Sequence, residues 1–181
     1  MKDTRSEIVN IADRLIRTKG YNAFSYTDIS LKLNIKNASI HYHFPTKSDL
    51  GVEVIKTTIE QFKYVTDSWK KLSLEAQFKK FVTMHDKSNK KHWLCLMGAL
   101  SSSTDTLSVE MLRELKRMGT IILDYLTDLL QKGKEEGVFS FECDAKTKAY
   151  LVQSSLLASL LLDNVLGEDT YTIIQKGILE I

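Results

Sequence analysis

Proline is nearly absent from this chain. Pro45 is the single one among 181 residues. An interior proline removes a helical hydrogen bond and clashes with the preceding turn, so a sequence this poor in it suits long helices and an all-α fold. Glycine is scattered at 20, 51, 98, 119, 133, 137, 167 and 177, and isolated glycines cannot build a phosphate-cradling loop. Two cysteines, Cys95 and Cys143, are too few for a disulfide framework and fit a reducing cytoplasm. The first twenty residues are charged throughout and lack the apolar core of a secretory signal. The longest uncharged run near the C-terminus, 149–162, falls short of the ~20 residues that cross a bilayer, so no membrane segment is expected. Charge of one sign is also scarce, at a net of +2. With 43% hydrophobic residues a real core is available.

Arrangements that would carry enzyme chemistry are equally scarce. There is no G-x-S-x-G elbow and no H-E-x-x-H helix. His85 and Asp86 are chain neighbours and face different ways on a helix. His41 and His43 are two apart and cannot share a metal from a regular helix. His92 and Cys95 are three apart, but the run that follows is apolar, which favours a core cysteine beside a capping histidine. No cofactor, no metal and no catalytic set is expected.

What is present is concentrated in residues 25–50. Ser25 and Asp28 have the spacing of a capping box, and Ile29 and Leu33 lie on one helical face. Asn34 tolerates the left-handed conformation that ends a helix and turns the chain. A second short helix is expected over about 37–43, stopped by Phe44 and Pro45. Two short helices joined by a tight turn form a helix-turn-helix, whose second helix enters the DNA major groove. Ile40 would pin that helix to the core. Asn37, Ser39, His41, Tyr42 and His43 remain to project outward, and the small Ala38 permits close approach to the groove floor. Lys47, at the start of the next helix, and Thr27 are placed to meet phosphates. Residues 1–50 hold eight Lys or Arg against five Asp or Glu, while the remainder holds seventeen against eighteen. The positive excess therefore lies where counterion release from DNA would use it.

This stretch resembles the TetR (tetracycline repressor) family of transcriptional regulators. The family pattern runs roughly F-x-x-x-x-I-A-x-x-x-G-V-S-x-G-x-x-Y-x-H-F-x-x-K-x-x-L. Phe24, Ile29, Ile35, Tyr42, His43, Phe44, Lys47 and Leu50 stand in the matching places or one removed from them. Asn34 replaces the usual turn glycine, Ala38 another glycine, and Lys36 the serine at the helix N-cap. Lys36 forgoes a cap hydrogen bond and adds a charge that can reach a phosphate. The plain alternative is a helical hairpin that only packs.

Along the rest of the chain, Thr4 and Glu7 would cap a first helix ending at Gly20. Lys2 and Arg5 are candidates for arm contacts with phosphate. Thr46 and Asp49 would cap a long helix to about residue 70. The run 93–100, WLCLMGAL, has no polar face and reads as a short helix buried on all sides. An apolar seam from Met111 to Leu129 predicts another long helix. Asp144 opens one that is apolar nearly all round, and a last helix is expected over 170–181. The domains expected are a helix-turn-helix DNA-binding domain over 1–47 and a larger helical effector-binding and dimerisation domain over 48–181.

The resemblance implies a homodimeric repressor that binds a double-stranded DNA operator and is released by a small apolar or amphipathic effector. It also implies that the helix after the recognition helix swings when ligand binds. Phe62, Trp69, Phe81, His85, Trp93, Met97, Met118, Ile122 and Tyr125 come from the helices that enclose a pocket in that family. The same residue types also describe a filled core. A monomer would expose the apolar side of the last two helices. Leu151, Ser155, Ala158 and Leu162, with Ile174 and Ile178, are therefore the expected dimer interface. Two other readings stand beside this one: a DNA-binding member without effector, acting through a protein partner or in chromosome organisation, and a helical enzyme.

Overall fold

The chain is seen in a computed structural model, which describes residues 3–90 and 93–180. Every regular element among the described residues is helical. Lys2 and His92, named above, and the last position of the expected helix 170–181 lie outside the described residues.

The N-terminal helices are set by local chemistry. Helix α1 (Thr4–Lys19) is capped by Asp3, whose Oδ1 accepts from the Arg5 amide at 3.1 Å. This moves the expected cap from Thr4 back one residue, because Asp3 has the extended backbone that a cap needs. Ile8, Val9, Ala12, Leu15 and Ile16 form its buried stripe. Helix α2 (Tyr26–Leu33) opens with the Ser25–Asp28 capping box and ends at Asn34, which is left-handed at φ 53°. Helix α3 (Asn37–His43) follows with Lys36 at its N-cap and no side-chain cap bond. Helix α4 (Lys47–Trp69) begins with a reciprocal pair. The Thr46 amide donates to Asp49 Oδ2 (2.9 Å), and the Asp49 amide donates to Thr46 Oγ1 (3.1 Å).

Two compact units divide the chain. The first comprises Met1–Glu60 and Leu96–Met118, the second Gln61–Cys95 and Gly119–Ile181. In the first, α1, α2 and α3 pack mutually, and helix α7 (Leu96–Ser101) packs on α1. That packing corrects the reading of 93–100 as one helix buried on all sides. The helix starts at Leu96, and Leu96, Ala99 and Leu100 are its buried residues, one side only. Trp93, Leu94 and Met97 are half-buried. The start of helix α8 (Val109–Glu135) belongs to this unit as well, with Met111 fully buried.

In the second unit, helix α9 (Ala145–Leu166) packs along helix α10 (Thr170–Ile178). Asp163 is buried and accepts from the Tyr171 amide at 2.9 Å. The Tyr171 hydroxyl and the Gln175 amide both donate to the Val82 carbonyl, at 3.0 Å each, at the end of helix α5 (Leu74–Val82). Gln175 also donates to Asp86 in the one-turn helix α6 (Asp86–Asn89). After α8 the chain folds back. A Cβ on Gly133 would lie 2.0 Å from the Phe139 ring, so the absence of a side chain there lets that ring lie against the helix. By length and composition alone, α9 is long and apolar enough to cross a membrane, although its longest uncharged run, 149–162, is shorter than such a span. Its buried Gln153, Ser159 and Asp163, together with the packing on α10, are features of a core helix.

Candidate nucleic-acid interface

Helix α3 is held from behind by one buried side chain and one tyrosine. Ile40 has no exposed surface and anchors the helix in the first unit's core. The Tyr26 hydroxyl, buried, donates to the Phe44 carbonyl at 2.8 Å and fixes the end of α3 against α2. Burial pushes that phenol up to about 12, so it stays a neutral donor. Arg5 reinforces the same end: its guanidinium lies 5.0 Å from the Phe44 ring centroid and pairs with Glu53 at 2.6 Å.

Fixed in this way, α3 turns outward the side chains singled out from the sequence. Lys36, Asn37, Ala38, Ser39, His41 and Tyr42 are exposed, Tyr42 by 84%. His43 is half-buried, its ring edge-on to Tyr42 with centroids 5.2 Å apart. Thr4, Ile35, Ala38, Ser39, Tyr42 and His43 line an open hollow on this surface. Thr27 is exposed on α2, where its Oγ1 accepts from the Asn37 amide at 3.1 Å, tying the two helices together. His41 directs Nδ1 to the Pro45 carbonyl at 3.3 Å and packs edge-on to Tyr26.

Lys47 is the residue whose placement differs most from a free surface charge. Its ammonium donates to the Phe24 carbonyl and sits 4.3 Å and 4.8 Å from the Phe24 and Tyr21 ring centroids. Burial lowers its pKa, and the carboxylate of Asp28 opposes that shift. One of its three donors is thereby committed inside the protein. Tyr26 and Arg5 are the supports that sequence reasoning passed over or gave another role. Tyr26 was detectable as an aromatic at the first helical position after a serine cap, but the partner of its hydroxyl was not.

The residues named as a ligand set separate. Phe62, Trp69, Phe81 and Tyr125 come together in the second unit. Tyr125 lies 5.6 Å from Phe62, 6.3 Å from Trp69 and 6.1 Å from Phe81, centroid to centroid. His85, Trp93 and Ile122 are half-buried in the same unit, whereas Met97 and Met118 fall in the first. The Tyr125 hydroxyl is buried and has no hydrogen-bond partner among the described residues. In the expected interface, Leu151, Ala158 and Leu162 are exposed, and Ser155, Ile174 and Ile178 are half-buried.

Comparison with known proteins settles what this architecture is. A TetR-family regulator from Legionella pneumophila of known structure is 30% identical, with 98% of this chain and 96% of that one covered and a TM-score of 0.84. The chain belongs to the TetR family of transcriptional regulators. The profile of the family described as bacterial regulatory proteins, tetR family, matches residues 8–54, the segment from within α1 through α2 and α3 to the start of α4. A TetR-family regulator from Agrobacterium tumefaciens superimposes with a TM-score of 0.90 at 26% identity, covering 97% of this chain and 95% of the other. The biofilm operon icaADBC HTH-type negative transcriptional regulator IcaR of Staphylococcus epidermidis is 29% identical over 131 residues, 70% of this chain and 67% of its own. The all-helical class, with an N-terminal helix-turn-helix and a larger helical remainder, is that of the family.

Proposed function

We propose that this TetR-family regulator is a repressor that binds a double-stranded DNA operator as a homodimer and is released by a small apolar or amphipathic effector. The observation that carries the DNA-reading part is α3 itself. Ile40 alone is buried on it, and amide, hydroxyl, imidazole and phenol groups face outward on a helix tied at its start through Asn37 to Thr27 and at its end through Tyr26 to the Phe44 carbonyl. Asn37, Ser39 and His41 meet base edges, with Ala38 against the groove floor. Thr27, Lys36, Tyr42, His43 and Lys47 serve phosphates. Residues 1–47 act as the DNA-binding part and 48–181 as the effector and dimerisation part. Cytoplasmic DNA is the target, and no membrane takes part. The repressor sense is supported by the negative regulator IcaR among its relatives.

The effector reading is supported by the orphaned Tyr125 hydroxyl inside an aromatic box. A buried donor without a partner costs about 1–3 kcal/mol, and a ligand acceptor would remove that cost. Phe62 and Trp69 of that box stand on α4, the helix that begins at Lys47. An occupant of the box therefore touches the helix that begins at Lys47, where the DNA-reading region ends. An effector at one hundred times its dissociation constant should add ~2.7 kcal/mol to stability and weaken operator binding by linkage.

In vitro selection of duplex DNA at stated salt tests the function directly. The expected result is a two-fold symmetric motif with half-sites about one helical turn apart or a multiple of it. Failure to enrich any motif would refute the reading. Lys47→Ala should make the log–log salt dependence shallower by about one unit.

A further inference from the structure

His41 carries more information than its exposure. Its Nδ1 lies 3.3 Å from the Pro45 carbonyl oxygen, four residues on. A carbonyl oxygen can only accept, so Nδ1 must hold the proton in that bond. In a neutral imidazole the second nitrogen then carries a lone pair and no proton. The ring cannot readily reverse this assignment, because the Tyr26 ring stands edge-on to it with centroids 4.7 Å apart. Tyr26 is itself pinned through its hydroxyl to the Phe44 carbonyl. Nε2 has no partner among the described residues, and His41 is exposed on the recognition helix.

We infer that His41 is a base-reading residue of fixed polarity, presenting Nε2 to the major groove as an acceptor and selecting adenine or cytosine over guanine or thymine. Adenine N6 and cytosine N4 are the amino donors on the major-groove edge, whereas guanine N7 and O6 and thymine O4 are acceptors that would face the lone pair. The inference rests on the DNA-reading function proposed above and adds which base this side chain admits. Its neighbours divide the work. Asn37 has one amide hydrogen committed to Thr27, and Ser39 can rotate its hydroxyl to donate or accept. His41 is the group on α3 whose tautomer is set within the protein before DNA arrives.

Two measurements on the full-length protein test this. Nitrogen-15 NMR of the histidine side chains at pH 8, assigned with His41→Ala, should show His41 with Nδ1 protonated and Nε2 bare. The opposite tautomer would overturn the inference without touching the DNA-reading function. In vitro selection with wild type, His41→Ala and His41→Arg should then agree on all positions of the motif but one in each half-site. There the wild type should favour adenine or cytosine about fivefold to tenfold, and His41→Ala should flatten the preference. The donor-only His41→Arg should turn it to guanine. A motif unchanged by His41→Ala, or a wild-type preference for guanine or thymine at the position it flattens, refutes the assignment while leaving the regulator reading intact. No motif with the wild type would overturn both.

Discussion

Helix α3 and the pair α9–α10 are opposites in what they show to water. On α3 the apolar Ile40 is buried, and what faces out is largely polar. On α9 and α10 the outward set is Leu151, Leu161, Leu162, Val165, Leu166 and Ile173, each 42% exposed or more. The buried set of α9 includes Gln153, Ser159 and Asp163. A polar, hydrogen-bonding surface suits a wet nucleic-acid interface, whereas an apolar surface suits the core of a contact between like subunits. The two surfaces therefore point to two different partners, and each can be broken separately.

The largest effect belongs to the apolar face. Ala158→Arg places a long cation at an exposed point of α9 between Leu151 and Leu162. A charge buried unpaired in a dimer contact is not tolerated. The expected outcome is a monomer by sedimentation, with operator affinity down by on the order of a hundredfold or more because two linked heads become two independent ones. Helicity of α1 to α3, followed by NMR, should be unchanged. A dimeric variant with full affinity would dissociate this stripe from the interface, and a monomeric wild type at micromolar concentration would remove the interface itself.

A change inside the second unit should affect stability without affecting DNA. Gly133→Ala drives a methyl into the Phe139 ring, which also packs on Phe78 with centroids 5.2 Å apart. Overpacking of this kind costs about 1–3 kcal/mol. Chemical denaturation should read that loss, while the dimeric fraction and the selected DNA motif stay as in wild type. A stability equal to wild type would mean that Phe139 can leave Gly133 at no cost.

Smaller, and of opposite sign, is the effect of Tyr125→Phe. The substitution removes a buried hydroxyl that lacks a partner and keeps the ring that touches Phe62, Trp69 and Phe81. Apo stability should rise by about 1 kcal/mol, seen as a higher denaturation midpoint, and stabilisation by any effector that uses the hydroxyl should fall. A loss of stability in the apo protein would show that the hydroxyl has a partner in solution.

These contrasts also explain what the sequence made legible. Ser25, Asp28, Asn34, Thr46 and Asp49 act within a few residues of themselves, so their caps and turn could be read from spacing and stand in the structure as expected. The family followed from the same stretch, and the all-helical class from the scarcity of proline. The inward turn of Lys47 onto the Phe24 carbonyl joins residues 23 apart, and no local rule reports it. Spacing likewise does not reveal that Met97 and Met118 fall in a different compact unit from Phe62 and Tyr125. In the run 93–100 the helix starts only at Leu96, because an apolar sequence fixes neither where a helix begins nor how many sides are covered. Leu96, Ala99 and Leu100 are buried on one side, and Trp93 and Met97 are half-buried.

The last and smallest expected effect lies in the local chemistry that made the head readable. The Asp28 carboxylate accepts from the Ser25 amide and hydroxyl, at 2.8 Å and 2.9 Å, and lies 3.7 Å from the Lys19 ammonium. The Ser25 amide bond first, then its hydroxyl, hold the pKa of Asp28 below the ordinary value of 3.8 against the cost of burial, with a lesser contribution from Lys19. A folded pKa depressed in this way contributes stability that is present above the unfolded value and is lost as pH falls through the folded one. The window for Asp28 therefore lies below about pH 4. Asp28→Asn should lower the melting temperature at pH 7 by less than Gly133→Ala does, because the carboxylate is at the surface and screened. The difference between Asp28→Asn and wild type should shrink as pH drops below 4 and close once the wild-type carboxylate is protonated. Thermal melts of both proteins from pH 7 to pH 2.5 would show it. A gap that stays constant through that range would mean the capping box works through shape and neutral hydrogen bonds alone, with no contribution from the charge of Asp28.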